Sequence, residues 1–402
     1  MLEAGIFSAK RSKRAHGRSA GHGMRILHVS EVLPGGVGSY IDDLAAAQAD
    51  RLGRDRIMVL GPASQLDVLA RRGGYRVRGY PQDRRGRHGL WALRAALRAV
   101  VADFAPDVVH LHSSFAGAIG RLPGACGPAG PRPALVYTAH GWSIDPDRAG
   151  GVRARLLIAL ERVLANRCDR IVNISPHETA FLTSMGFPAE RMSVVPTGLP
   201  PCAPSTEPGD RANSPIRLLF AGRLDRQKGL DLIWPEICGT AAAGYRLRVA
   251  GAPGAAENDR YRNAPPHVEM LGWVERDRVA REITECDALL MPSRWEGLPI
   301  IALEAMRAGK PVIANRIGPF PYMIDHCVDG LIADFSRPGE LARVLAGVDG
   351  AALAAMGRRA RARFAQCYRQ DRMVDTLFAV YRAAVSAAST NLDSRAADRS
   401  QE

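Results

Sequence analysis

Short apolar runs alternate with helical patterns along almost the whole chain, and the alternation starts twice. The first series opens on Arg25-Ile26-Leu27-His28-Val29-Ser30, which reads as a buried strand. A glycine-rich turn follows, Pro34-Gly35-Gly36-Val37-Gly38, and then a helical pattern through Ile41, Leu44, Ala45 and Leu52. Further strands are expected at 57–60, 107–111, 134–138 and 170–174, with helical spacing of apolar residues from Leu90 to Phe104. The pattern lapses at residues 201–214, rich in proline and small polar residues. A second series places strands at 216–221, 246–250, 288–291 and 311–314, and helices at 229–237, 276–285 and 299–308. A chain that returns to one sheet through helices builds parallel strands.

The expected fold is therefore α/β: two Rossmann-like parallel-sheet domains, residues 24–200 and 215–370, facing each other across a cleft, with 201–214 as linker. A length of 402 residues suits two cores better than one. Parallel sheets bind ligands at the carboxyl ends of their strands, here toward the cleft. Residues 1–23 are basic and patternless and read as a disordered extension; residues 388–402 read as a disordered tail.

Composition excludes several functional classes. With 47% hydrophobic and 24% charged residues the chain is globular. No apolar run reaches the ~18 residues of a membrane span, and the first residues lack a secretory pattern. A cytoplasmic location is expected, at most peripheral on the inner face of the plasma membrane. Seven scattered cysteines without a C-x-x-C pair point to buried free thiols rather than disulfides or a zinc cluster. The net charge of +13 comes almost wholly from arginine, spread along the chain without aromatic clusters or a recognition helix, so nucleic acid is not the expected partner. A positive face suits an anionic membrane surface or a polyprenol diphosphate; the plainer alternative is a solvated surface. The four lysines are Lys10, Lys13, Lys228 and Lys310. In so arginine-rich a chain, Lys228 and Lys310 mark positions suited to a compact ammonium.

The densest chemistry lies in residues 291–314, MPSRWEGLPIIALEAMRAGKPVIA. Strand, loop and helix follow one another, with Glu296 in the loop and Glu304 on the helix. Pro299 suits the first helical turn, and the amides of Gly297 and Leu298 are expected to meet a phosphate or sugar hydroxyl at the positive end of the helix dipole. Glu304 can accept hydrogen bonds from a ribose diol, and Glu296 can reach the sugar. A surface helix with incidental carboxylates is the alternative. The second signal is Gly222-Arg223-Leu224-Asp225-Arg226-Gln227-Lys228-Gly229, where Arg223 and Lys228 can neutralise a departing nucleoside diphosphate. The turn at Gly35 and Gly36 can approach a phosphate or the acceptor. It is not G-x-G-x-x-G and lacks the ribose-binding acid, which counts against a dinucleotide oxidoreductase. His140, at a strand end, is expected to bond the sugar or orient the acceptor. His110 and His112 share a strand face without an evident third ligand and read as structural. Asp145-Pro146-Asp147 resembles a metal-binding D-x-D, but no metal is expected, because the Arg/Lys pair already supplies the positive charge.

Assembled in this order, these residues resemble glycosyltransferase family four, with the GT-B fold, over residues 24–387. The opening glycine turn, DVVHLHSSFAG (107–117), AHGW (139–142), VVPTG (194–198), GRLDRQKG (222–229) and the E-x7-E of Glu296 and Glu304 carry the likeness. The resemblance implies transfer of a hexosyl group from a nucleoside diphosphate sugar, with retained configuration, no metal and no cofactor. HSSFAG leans toward UDP-sugars, with GDP-mannose second. By that analogy Arg223 and Lys228 bind the diphosphate, Glu296 the transferred sugar and Glu304 the ribose. His140 would line the reaction centre, the amides of Gly35 and Gly36 would meet phosphate, and residues 371–387 would cross back onto the first domain. The acceptor would be a saccharide or a polyprenol-linked saccharide in surface polysaccharide synthesis. Thr197 stands where the family more often has asparagine, and Gly318-Pro319-Phe320-Pro321-Tyr322 replaces a commoner Gly-Gly-x-Pro-Glu. A sugar-nucleotide 2-epimerase of the same fold and a non-catalytic nucleotide-sugar-binding protein remain as alternatives.

Overall fold

The computed structural model describes residues 23–82, 87–127, 132–142, 151–201, 215–239, 244–252 and 260–399. The first sheet holds β1 (Ile26–Ser30), β2 (Ile57–Pro62), β3 (Arg76–Tyr80), β4 (Val108–His112), β5 (Ala134–Thr138), β6 (Arg170–Asn173) and β7 (Met192–Val194). Their order is β3-β2-β1-β4-β5-β6-β7, with every pair parallel. β1, β4 and β5 are buried along their whole length, as strands covered on both faces must be. Alternate residues enter two cores: Ile26 and Val108 one, Leu27 and Val109 the other.

The second sheet holds β8 (Ile216–Ala221), β9 (Tyr245–Ala250), β10 (Val268–Gly272), β11 (Ala288–Met291), β12 (Val312–Asn315) and β13 (Gly330–Ala333), in the order β10-β9-β8-β11-β12-β13, again all parallel. The direction of winding reverses between β1 and β4 and between β8 and β11. At such switch points consecutive loops splay apart and leave a crevice at the carboxyl ends.

The helix Gln370–Arg399 returns to the first domain. Met373, Val374, Leu377, Val380, Tyr381, Ala384 and Ala388 join the core under β1, β2, β4 and β5. This corrects the expected disordered tail from residue 388. The apolar stripe continues at helical spacing through Ala384 and Ala388, so burial reaches past the expected helix end at 387. The extension 1–22 and the linker residues 202–214 lie outside the described residues, as does the Asp145-Pro146-Asp147 motif. Six described cysteines are free, and Cys238 and Cys327 are exposed, which corrects the expectation that all are buried. Among the described residues no helix is long and apolar enough to cross a membrane.

Beneath the returning helix lies a buried polar layer. His28 on β1 and His110 and His112 on β4 are each fully buried. His110 bonds the Tyr381 hydroxyl at 2.7 Å and Thr138 Oγ1 at 2.8 Å; His28 bonds Gln48 Oε1 at 2.8 Å. Burial pushes the His28 pKa from 6.5 down to about 4, and burial together with neighbouring imidazoles holds His110 and His112 well below the usual range. The folded protein keeps these rings neutral while the unfolded chain protonates them below about pH 6.5, so stability falls as pH drops through that point. We expect a flat Tm above pH 7 and a steady decline toward pH 4. His28, shifted from 6.5 to about 4, contributes on the order of 3 kcal/mol. A Tm unchanged down to pH 5 would contradict neutral burial.

Candidate functional site

The loops after β8 and β11 are tied together before any ligand enters. Gly229, at φ +70°, lies so near the end of β11 that a Cβ would sit 2.1 Å from the Pro292 carbonyl oxygen, so only glycine fits. Arg294 donates to both carboxylate oxygens of Asp231, each at 2.7 Å, and its amide donates to the Gln227 carbonyl at 2.8 Å. Gln227 Nε2 in turn donates to the Trp295 carbonyl at 3.3 Å. This lacing sets Lys228 opposite Glu296: Lys228 Nζ lies 2.7 Å from Glu296 Oε1, which also accepts from Ser293 Oγ at 2.9 Å. Glu296 is 7% exposed. A buried carboxylate needs such partners to stay charged. Asp231, Gln227, Ser293 and Arg294 escaped the sequence reading, because a pairing across two loops leaves no spacing signal.

Arg223 is placed differently. Its side chain is 63% exposed and reaches Asp225 at 3.1 Å and Gln227 at 2.9 Å, not the Lys228–Glu296 pair. Gly222 lies beside the Lys228 stem, with a Cβ position 3.5 Å from its methylenes. Glu304 sits on the helix Ile300–Arg307, one residue shorter at each end than expected, with Pro299 just before it as the cap residue. Arg276 approaches Glu304 at 3.6 Å and Asp43 of the first domain at 3.9 Å. Burial raises the pKa of Glu304, and Arg276 and Arg307 oppose that rise.

The two domains meet through glycines. A Cβ on Gly297 would lie 3.1 Å from Gly141 and 3.2 Å from the His140 carbonyl oxygen; a Cβ on Gly36 would lie 3.4 Å from Ile300 Cδ1. Gly35, at φ +86°, precedes the helix Gly36–Leu52. The opening turn therefore faces the start of the Glu304 helix. Gly318 approaches the Glu296 backbone, 3.3 Å from its carbonyl oxygen to the Cβ position. Leu298 is buried in the second domain's core, so only its backbone can serve a ligand.

His140 adopts φ +56°, an uncommon conformation for a residue with a side chain. Its Nε2 lies 2.9 Å from His112 Nδ1, and its ring meets the edge of Tyr40 at 4.7 Å between centroids. Burial lowers the His140 pKa from 6.5 to about 3. His112 Nε2 continues to His28 Nδ1 at 3.0 Å. The HLH pair, expected to be structural and without an evident third ligand, is joined by His28 and connects to the cleft through His140. The signal was present at His28, in register with His110 on the neighbouring strand, but pairing of distant strands is a tertiary fact.

Comparison with known proteins agrees with this architecture. Residues 34–201 match the family model "Glycosyltransferase Family 4", and residues 215–348 match "Glycosyl transferases group 1". The amylovoran biosynthesis glycosyltransferase AmsK of Erwinia amylovora is 26% identical over 65% of this chain and 66% of that protein. The UDP-Gal:alpha-D-GlcNAc-diphosphoundecaprenol alpha-1,3-galactosyltransferase of Escherichia coli is 27% identical over 57% of this chain and 63% of that protein. Anabaena HepE, solved in complex with UDP and glucose, superposes with a TM-score of 0.72 at 20% identity, covering 90% of this chain and 100% of HepE. Two family models spanning both domains, on a pair of facing Rossmann-like sheets, place this chain in glycosyltransferase family 4, as a glycosyltransferase of the GT-B fold.

Proposed function

We propose that the chain moves a hexosyl group from a UDP-sugar to a lipid-linked saccharide during surface polysaccharide synthesis, with retained configuration and without a metal or cofactor. The observation that carries this reading is the Lys228–Glu296 pair, 2.7 Å apart and held at the mouth of the second domain's switch point. A cation and a carboxylate side by side suit the two ends of a sugar diphosphate. Lys228 meets phosphate oxygens, while Glu296 accepts hydrogen bonds from sugar hydroxyls. Arg223, on its exposed loop, turns from Asp225 onto the diphosphate when the donor binds. Glu304 takes the ribose diol, and the amides of Gly35, Gly36, Gly297 and Leu298 serve phosphate or sugar oxygens.

In a front-face displacement the departing phosphate oxygen takes the acceptor hydroxyl's proton as the glycosidic bond breaks, and the new bond forms on the same face. The negative charge growing on the diphosphate is stabilised by Lys228 and Arg223, which is where transition-state binding exceeds ground-state binding. His140 lines the sugar side. UDP is favoured by HepE's ligand and by the UDP-Gal named for the E. coli relative. The diphosphoundecaprenol acceptor named for that relative supports a lipid-linked acceptor here.

A surface of the first domain supports membrane contact. On the helix Gly151–Ala165, Leu156, Leu160 and Val163 are 67%, 50% and 56% exposed and share one face at helical spacing. Arg155 and Arg162 are exposed on the same helix, and Trp91, 70% exposed, stands on Arg87–Phe104, which packs into the same core. An apolar stripe flanked by arginines suits an anionic bilayer surface.

Three outcomes follow. Arg223→Ala lowers kcat by roughly 10²–10³ without altering Tm, whereas Lys228→Ala loses as much turnover and also lowers Tm, because Glu296 is left buried without its cation. Near-normal turnover of both variants in a UDP-release assay would end the diphosphate clamp. EDTA leaves turnover unchanged; a loss restored by a divalent cation would refute the metal-free mechanism. The double substitution Leu156→Asp with Leu160→Asp weakens sedimentation with anionic vesicles at low salt while sparing turnover on a short soluble acceptor. Equal sedimentation of the variant and the parent protein would exclude this face.

A further inference from the structure

Five side chains run in series from Tyr381 on the returning helix to the half-buried His140 at the cleft. Gln48 Nε2 donates to the Tyr381 hydroxyl at 3.4 Å, so Gln48 Oε1 faces His28 Nε2 at 2.8 Å. An amide oxygen only accepts, so His28 Nε2 carries the hydrogen and His28 Nδ1 is a lone pair. That lone pair, 3.0 Å from His112 Nε2, requires N–H there and leaves His112 Nδ1 as an acceptor. His112 Nδ1, 2.9 Å from His140 Nε2, places the hydrogen of His140 on Nε2. The direction is set at Tyr381: the phenol donates to His110 Nδ1 at 2.7 Å, the better donor meeting the better acceptor, and its oxygen then accepts from Gln48. Reversing the Gln48 amide would reverse every bond in the series.

We propose that Gln48, His28 and His112 are positioning residues that lock His140 in its Nε2–H form, so that Nδ1 presents a lone pair to a hydroxyl of the bound sugar. The strained φ of +56° and the Tyr40 ring edge confine the imidazole, and the chain decides which nitrogen is bare. All three rings are kept neutral by burial. A lone pair there accepts from a hydroxyl and repels a carbonyl or carboxylate oxygen, so this position selects a free hydroxyl on the sugar. His28, His110 and His112 also bring ligating nitrogens within 4.8 Å of one another. A metal site is the weaker reading, because all six of their ring nitrogens already have hydrogen-bond partners.

The sugar contact rests on the transferase reading; the lock does not, and the decisive measurement needs no substrate. The full-length protein labelled with 15N-histidine is examined by two-bond proton–nitrogen correlation spectra from pH 6 to 8, with His140 assigned from its loss in His140→Asn. We expect His140 in the neutral Nε2–H form alone throughout. In Gln48→Leu the spectrum becomes a mixture of both neutral forms and kcat falls by about tenfold, the worth of one hydrogen bond, with the donor KM within about twofold. Gln48→Glu, whose carboxylate accepts from His28, restores the single form. An Nδ1–H form, an imidazolium signal near pH 6.5, or a Gln48→Leu spectrum like the parent's would overturn the lock. So would zinc-induced shifts at His28, His110 and His112 together, which would make the cluster a metal site. If Gln48→Leu does not fold, the parent spectrum alone decides. A confirmed lock with no donor turnover would refute the transferase reading instead.

Discussion

Two loops leave the carboxyl ends of β8 and β11 on either side of a reversal in winding, and the site depends on their being laced to each other. Loops at a switch point diverge by construction, so a crevice forms at no cost in packing but with no fixed geometry. Gly229 against Pro292 and the bidentate Arg294–Asp231 pair remove that freedom. Lys228 and Glu296 then stand in hydrogen-bond contact although each loop alone would leave them independent. An ion pair this sheltered is weak support for stability, since desolvation offsets much of its attraction. What the lacing does is hold two opposite charges at one place, between the ends of β8 and β11.

The first domain supplies its part through backbone rather than long side chains. Gly297 against His140 and Gly141, and Gly36 against Ile300, let the domains approach to van der Waals contact. The returning helix makes this approach reproducible. Leu199 pairs with Arg369, Gln370 donates to the Asp43 carbonyl at 2.8 Å, and the helix buries its apolar stripe in the first domain's core. Arg276, between Glu304 and Asp43, is the charged counterpart of these contacts.

The histidine layer shows how a polar interior can be tolerated in a parallel sheet. Unpaired, each buried imidazole would cost on the order of 1–3 kcal/mol. Here each ring nitrogen of His28, His110 and His112 has a partner, and the last partner is the cleft residue His140. The bonds that satisfy the core are the same bonds that reach His140, and they join strands that a sequence pattern shows only one at a time.

The two-domain α/β architecture and the interior strands of both sheets were legible in the order of residues alone. Interior strands are covered on both faces and must be written as near-continuous apolar runs. The strands that escaped, β3, β7, β10 and β13, are the four sheet edges. Three of them are partly exposed, as in Arg76–Tyr80, and β13 is a short buried run after a turn, so none carries a distinctive pattern. The returning helix runs past the end expected at residue 387, because alanine is equally at home in a core or in solvent and gives no sign of where burial stops. That Lys228 meets Glu296 while Arg223 turns outward, and that His28 completes a chain ending at His140, follows from the folded arrangement alone. Those facts depend on which loops and strands become neighbours. Periodicity records whether a residue is buried, but not what it is buried against.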